Sequence, residues 1–384
     1  MPKLWLMLFC TLRTTSVCEN GLLQMAITSF ANIVPSTNWE NLLNGLFKTG
    51  RIKLNDRTGL KNRDILITGG LGFIGSNLAH QLVQQDARVT LFDARLEPYG
   101  WNDANIRKIK DDVRIVTADV RDRDMVEKHV KGKDIVFHLA AQVGREISMQ
   151  SPELDTQINC FGTLNICHAC AKHGAKVVYA GSRGQIGEPQ YLPVDEKHPT
   201  LPTDVYGINK LAAEKYLLLF SHIYKFGAVS LRLNNVYGPR CQMHHGFYGI
   251  LNWFIGNAMQ EKPITVYGDG QQTRDYVYIN DVVDAFIRVA VNEKANQQIF
   301  FVGSGVETVF LDMVKTVINA VGRGSYVHVP FPSERESIDI KKFVVSCEKL
   351  FRYTGWRAQI DLKTGVNKTV EFYRQRYSDY IKNG

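Results

Sequence analysis

The chain has 384 residues, of which 45% are hydrophobic and 22% charged, enough to bury one large core or two smaller ones. No tract is rich in Pro or Gly, which excludes a collagenous or low-complexity chain. The net charge of +8 is modest, and its basic residues are scattered. That argues against a nucleic-acid groove and leaves room for a small polyanionic ligand.

Residues 1–60 lack the patterning of the remaining chain and form an N-terminal extension of unknown role. Leu4–Leu12 is apolar, but Arg13 interrupts the run and nine residues cannot span a bilayer. No small-x-small cleavage site follows, and Met25 offers a later start, so no membrane association is expected. From Asp64 the chain alternates. Short β-branched runs lie at Asp64–Thr68, Arg88–Phe92, Val113–Thr117, Asp134–His138, Lys176–Tyr179 and Ala228–Leu231. Helical periodicity fills Phe73–Gln85, Asp124–Val130, Glu153–His173 and Asp204–Phe226. Strand–helix alternation with continuous apolar strands predicts an α/β fold: a Rossmann-type, doubly wound parallel sheet with helices on both faces. Beyond Leu233 the alternation loosens. A strand at Gln298–Val302 is expected to return to the sheet, and Phe310–Gly322 and Thr364–Arg376 read as helices. This divides the chain into a nucleotide-binding half at 61–232, its sheet completed by about 276–303. A smaller C-terminal substrate-binding lobe is assigned to 233–275 and 304–384. No internal repeat is evident.

Directly after the first strand, Gly69, Gly72 and Gly75 form G-x-x-G-x-x-G. A chain turning from strand into helix against a pyrophosphate needs positions without Cβ, and the phosphate then rests on the free N–H groups of the helix. Phe73 and Ile74 lie in that turn. Asp93 ends the second strand, where a carboxylate accepts both ribose hydroxyls of NAD and repels the extra phosphate of NADP. Arg95 tempers that preference without reversing it. Asp119 and Val120 follow the third strand, where an acid can bond the adenine amino group. Leu139, Ala140 and Ala141 follow the fourth, where small residues let backbone lie against the cofactor. NAD is therefore the expected cofactor.

Tyr206 and Lys210 form Y-x-x-x-K, about one helical turn apart, so both side chains share a face. A neighbouring ammonium stabilises phenolate and lowers the tyrosine pKa, which suits a base. Ser182, at the end of the fifth strand, can polarise a sugar oxygen while Tyr206 removes its proton. Cys167 and Cys170 form a C-x-x-C. Their helical setting reads as a buried face rather than as metal ligands or a redox pair, and no second ligand pair follows at zinc spacing. No metal is expected. Seven cysteines without a regular framework suggest reduced thiols and a cytoplasmic setting.

Taken in order, the glycine triplet, Asp93, Asp119, His138-Leu-Ala-Ala, Ser182 and Tyr206/Lys210 lead to Arg232-Leu-Asn-Asn-Val-Tyr-Gly-Pro-Arg240. Tyr267-Gly-Asp-Gly270, Thr273-Arg-Asp-Tyr276, Gly355-Trp356 and Thr369–Tyr373 come after it. From about residue 63 to 376 the chain resembles the extended short-chain dehydrogenases/reductases of the nucleotide-sugar epimerase/dehydratase family, and within it the UDP-glucose 4-epimerase-like members. The resemblance implies a nucleotide-sugar substrate, with Asn235, Arg274 and Arg335 on its diphosphate and Ser148 near the sugar. Arg183, beside Ser182, joins the substrate contacts. It also implies a homodimer paired through the helix of Tyr206. One departure narrows the chemistry. Dehydratases of this kind usually carry Asp-Glu after the catalytic Ser or Thr, and decarboxylases a nearby Glu. Here Arg183 and Gly184 stand there, and Glu188 comes too late. An epimerase needs neither acid, so C4 epimerisation of a UDP-sugar through a transient keto sugar is the favoured expectation, with dehydration or decarboxylation as alternatives. A non-catalytic NAD-binding protein is disfavoured by the intact Ser182, Tyr206 and Lys210.

Overall fold

The structure, a computed structural model, describes residues 59–331 and 340–381. The Leu4–Leu12 run, Met25, Cys10, Cys18 and Arg335 lie outside the described residues. Leu60, placed by sequence in the N-terminal extension, is fully buried in the main core.

The central sheet has seven parallel strands. They are β1 (Asp64–Thr68), β2 (Arg88–Asp93), β3 (Val113–Thr117), β4 (Ile135–His138), β5 (Lys176–Ser182), β6 (Ala228–Leu233) and the returning strand Gln298–Val302. Their order across the sheet is β3-β2-β1-β4-β5-β6, with Gln298–Val302 outermost beside β6. That is the doubly wound Rossmann arrangement, whose order reverses between β1 and β4 and opens a crevice there. Successive side chains on a strand point to opposite faces. Ile65, Ile67, Val178 and Ala180 enter one apolar cluster, while Leu66, Val177 and Tyr179 enter the other. Burial on both faces explains why the strands read as unbroken apolar runs.

The Glu153–His173 segment is not one regular helix. It runs as Pro152–Asp155, a π-helical turn at Thr156–Phe161, and Gly162–His173. A π turn widens the helix, and such turns favour functional sites; here Ile158 reaches the cavity wall. Periodicity alone cannot show the change because the apolar positions continue through it. Cys167 and Cys170 are fully buried free thiols in the second cluster, and burial raises both thiol pKa values. Among the described residues no group of three metal-ligating side chains converges, and no helix is long and apolar enough to cross a membrane.

Late motifs prove to be packing. Trp356 is 1% exposed, and its Nε1 donates to the Asp281 carbonyl at 2.9 Å. Tyr373 donates to the Cys241 carbonyl at 2.7 Å, tying the C-terminal helix Leu362–Arg374 beneath the loop that leaves β6.

Candidate active site

A cavity of about 440 Å³ opens along the C-terminal edges of β1, β2, β4, β5 and β6. At one end the wall is mostly backbone. Gly69 has φ +68°, and a Cβ there would stand 2.9 Å from the Ala140 nitrogen. A Cβ on Gly75 would stand 2.2 Å from the Gly69 carbonyl oxygen, so the helix Phe73–Val83 can start this close to the strand only with glycine. Its N-terminus has no side-chain cap and no acid in its first turn, which leaves N–H donors and positive dipole for phosphate. Asp93 is 9% exposed. Its carboxylate accepts from the Leu71 and Arg95 N–H groups at 3.0 and 2.9 Å. Burial raises its pKa, and those two donors oppose the rise. Arg95 turns away to Asp103 at 2.7 Å and over the Trp101 ring, so it adds no phosphate-binding charge beside Asp93. Asp119 lines the cavity but is gripped by the Arg121 side chain at 3.0 and 2.7 Å, a pairing that sequence reasoning missed. Phe73, Ile74, Val120, Leu139, Ala140 and Ala141 all line this end.

His138 fixes the turn after β4. The Thr163 hydroxyl donates to the Asn159 carbonyl, so it accepts from His138 Nε2–H at 3.0 Å. His138 Nδ1 then accepts from the Thr68 hydroxyl at 2.8 Å, and Thr68 Oγ1 accepts from the Leu139 and Ala140 N–H groups. Burial, with a contribution from the Lys210 charge, lowers the His138 pKa to about 3, which keeps this relay neutral.

The other end is built from side chains. Ser182 ends β5 in a capping box: its hydroxyl accepts from Gly184 N–H at 3.1 Å, and its own N–H donates to Gln185 Oε1 at 2.7 Å. Tyr206 lines the cavity together with Ser182 and stands at the start of the helix Val205–Tyr224, which Asp204 caps. Lys210 follows one turn on, 2% exposed, with its Nζ 4.2 Å from the Tyr179 ring centre. Ser182, Tyr206 and Lys210 thus meet at one wall of the cavity. The expected lowering of the tyrosine pKa is not what this geometry gives. Burial pushes Tyr206 up to about 12, and the nearby Ser182 hydroxyl and the Arg183 charge only partly offset it. Burial likewise brings Lys210 down to about 7, against the pull of Asp155 and Glu214.

The sequence-assigned substrate contacts divide. Arg183 lines the cavity; Asn235 and Arg274 do not, and Asn235 Oδ1 accepts from Arg183 Nε at 3.2 Å. Arg274 donates to its neighbour's carbonyl at Thr273. Ser148 is fully buried and does not line the cavity. Its hydroxyl donates to the Arg145 carbonyl and accepts from Tyr206 N–H at 3.2 Å, which makes it a support under Tyr206 rather than a contact to sugar.

A sequence profile of the NAD dependent epimerase/dehydratase family matches residues 65–303. The chain belongs to this family. It is similar to a UDP-glucose 4-epimerase of Mycolicibacterium smegmatis, 33% identical over 81% of this chain and 98% of that one. It is also similar to a UDP-N-acetyl-alpha-D-glucosaminuronate decarboxylase of Bacillus cytotoxicus, at 30% over 82% and 98%. Among solved structures, a Thermotoga maritima UDP-glucose 4-epimerase with UDP-glucose superposes with a TM-score of 0.75. It is 29% identical and covers 82% of this chain and 99% of that chain. As a member of this epimerase/dehydratase family the chain uses NAD, and the glycine cradle, the open helix N-terminus and Asp93 suit that cofactor.

Several lining residues escape sequence reasoning. Asn234 is 7% exposed, and neither atom of its amide has a partner. Trp101 Nε1 is also buried without a partner. Tyr248 donates to the Pro98 carbonyl at 3.0 Å, joining the loop after β2 to the loop around residues 241–249 across the cavity mouth. These residues sit in aperiodic loops, where no spacing marks them. Only the doubled Asn234-Asn235, polar residues directly after a fully buried strand, offered a signal.

Proposed function

We propose that the chain is a nucleotide-sugar epimerase acting at C4 of a UDP-sugar through a transient keto sugar. One observation carries the reading: among the described residues, the reacting end has no free carboxylate. Of the cavity-lining acids, Asp93 and Asp119 belong to the cofactor end, and Asp204 pairs with Arg145 at 3.1 Å while capping the helix. Elimination of water needs an acid and a base in addition to the redox step; epimerisation needs only a reversible oxidation and a sugar that can turn.

In this reading Gly69, Gly72, Phe73, Ile74, Gly75, Asp93, Asp119, Val120, Leu139, Ala140 and Ala141 hold NAD, with Tyr206 and Lys210 at its reactive end. NAD supplies a hydride acceptor that is regenerated in each turnover. Tyr206 takes the proton of the sugar hydroxyl, and Ser182 shares a hydrogen bond with that oxygen as the carbonyl forms. Lys210 provides positive charge under the phenolate. Because Lys210 is brought down to about 7, its proton is within reach of neutral pH, and the pair can pass a proton without a large change in net charge. The substrate lobe of this reading is drawn from 233–275 and 304–384, beside the 61–232 half.

Tyr206→Phe should lower turnover by about 10²–10⁴-fold and leave NAD binding intact; unchanged turnover refutes the mechanism. Product analysis by NMR in deuterated water separates the reactions. Isomerisation without solvent deuterium supports epimerisation by C4 oxidation, deuterium at C5 with loss of water marks a dehydratase, and loss of carbon dioxide a decarboxylase.

The homodimer is part of the same proposal. Ile208, Tyr216, Leu219 and Ile223 form an exposed apolar stripe on the Val205–Tyr224 helix, each 40–54% exposed. An apolar helical stripe of this kind suits burial against a second copy. Sedimentation equilibrium reads the result. Free thiols at all five described cysteines suit a cytoplasmic setting.

A further inference from the structure

We infer that the sugar of this chain's substrate carries a carboxylate, and that Arg183 holds it. The inference rests on the nucleotide-sugar reading above.

Arg183 lines the cavity directly after Ser182, in the short turn Arg183–Gln185. Two contacts fix its plane. Nε donates to Asn235 Oδ1 at 3.2 Å, and the guanidinium lies 5.1 Å from the centre of the Phe343 ring. Among the described residues it makes no salt bridge, whereas its neighbour Arg145 is neutralised by Asp204. The Tyr276 hydroxyl nearby is buried without a partner and brings no charge. Burial and the repulsion of Arg274 and Arg145 lower the Arg183 pKa to about 10, still far above neutrality, and the Asp204 carboxylate, already paired with Arg145, opposes the fall only weakly. A cation kept charged in such surroundings calls for an anion, and an oriented guanidinium matches two oxygens of one group.

A nucleotide sugar offers its diphosphate, on C1. If Ser182 and Tyr206 meet the C4 hydroxyl, the nearest ring substituents are those of C3 and C5. A residue adjacent to Ser182 can therefore meet the carbon attached to C5, whereas C1 lies across the ring. A carboxylate on that carbon places two anionic oxygens beside Arg183. A neutral hexose places only a hydroxymethyl group there and leaves the cation uncompensated. The chemistry indicated is that of a hexuronic acid.

Titration calorimetry of the NAD-loaded full chain with UDP-glucuronate, UDP-galacturonate, UDP-glucose and UDP tests this. The wild type should bind a uronate about tenfold or more tighter than UDP-glucose. Arg183→Gln should erase that preference while UDP affinity changes by less than about twofold. Arg183→Lys, which keeps the charge and loses the fork, should retain part of it. Thermal melting of Arg183→Gln without ligand should show little loss of stability, because removal of a buried cation offsets the lost bond to Asn235 and the contact with Phe343. Equal wild-type affinity for uronate and UDP-glucose overturns the inference and leaves the epimerase reading standing. A parallel loss of UDP and uronate affinity in Arg183→Gln assigns the guanidinium to the diphosphate and also overturns it. Failure of all four compounds to bind the wild type refutes the nucleotide-sugar reading and this inference together.

Discussion

The two ends of the cavity are built on different principles. At the cofactor end the wall is backbone: glycines without Cβ, helix N–H groups, and carboxylates that already have hydrogen bonds. At the substrate end the wall is side chain: it holds both unsatisfied amide atoms of Asn234 and the Arg183 charge, and next to it Asn235 Nδ2 and the Tyr276 hydroxyl are buried without partners. A backbone wall takes its shape as soon as the sheet forms, and apart from the Trp101 Nε1 and the helix N–H groups it leaves little for a ligand to satisfy. The side-chain wall keeps buried polar groups whose desolvation is offset only when a ligand arrives. One end thus serves stability and the other selectivity.

That contrast can be tested by substitution, beginning where the effect should be largest. Beneath the substrate end, Glu214 accepts from Arg232 Nη2 and Nε at 2.7 and 3.1 Å and from the Ser230 hydroxyl at 2.7 Å, all fully or nearly fully buried. Glu214→Ala strands the guanidinium and should cost about 3–5 kcal/mol in chemical denaturation. A cost near zero would mean that the unsatisfied wall needs no rigid base. At the cofactor end, Gly75→Ala drives a Cβ into the Gly69 carbonyl, costs about 1–3 kcal/mol, and should weaken NAD binding more than UDP binding. Equal weakening would erase the distinction between the ends.

His138 should produce an acid-sensitive stability. Folded, it stays neutral because its pKa falls from 6.5 to about 3; unfolded, it protonates as pH drops through 6.5. The unfolded chain then binds the extra proton, so this contribution to stability is present at pH 7 and declines by about 2 kcal/mol at pH 5. His138→Asn should flatten that decline in melts at the two pH values. The smallest effect is expected at Asn234. Asn234→Leu removes two unsatisfied polar atoms, so the free chain should be unchanged or up to about 1 kcal/mol more stable, while affinity for a UDP-sugar relative to UDP falls. A destabilised variant with intact sugar affinity would place Asn234 in the scaffold instead.

The cofactor end was legible residue by residue. Glycine spacing, the acid ending β2 and the small residues after β4 report backbone requirements, and backbone geometry is local to the sequence that makes it. The order of Ser182, Tyr206 and Lys210 was legible for the same reason, since a strand end and one helical turn set it. Their ionisation was not legible. Lys210 adjacent to Tyr206 suggested a lowered phenol, yet burial from distant elements dominates and raises it. Ser148 read as a sugar contact and sits beneath Tyr206. Asn235 read as facing the ligand and faces Arg183, while Asn234 lines the cavity.

The sequence by itself determined the family, the parallel sheet, the NAD cofactor and the meeting of Ser182, Tyr206 and Lys210 at one wall, because each depends on short-range spacing and on alternation that burial on two faces enforces. Only the tertiary structure decided which polar atoms among the described residues are left without partners, which cation among them makes no salt bridge, and how far burial moves each pKa. Those properties depend on what every other element excludes from a site, and desolvation leaves no mark on the spacing of residues along the chain.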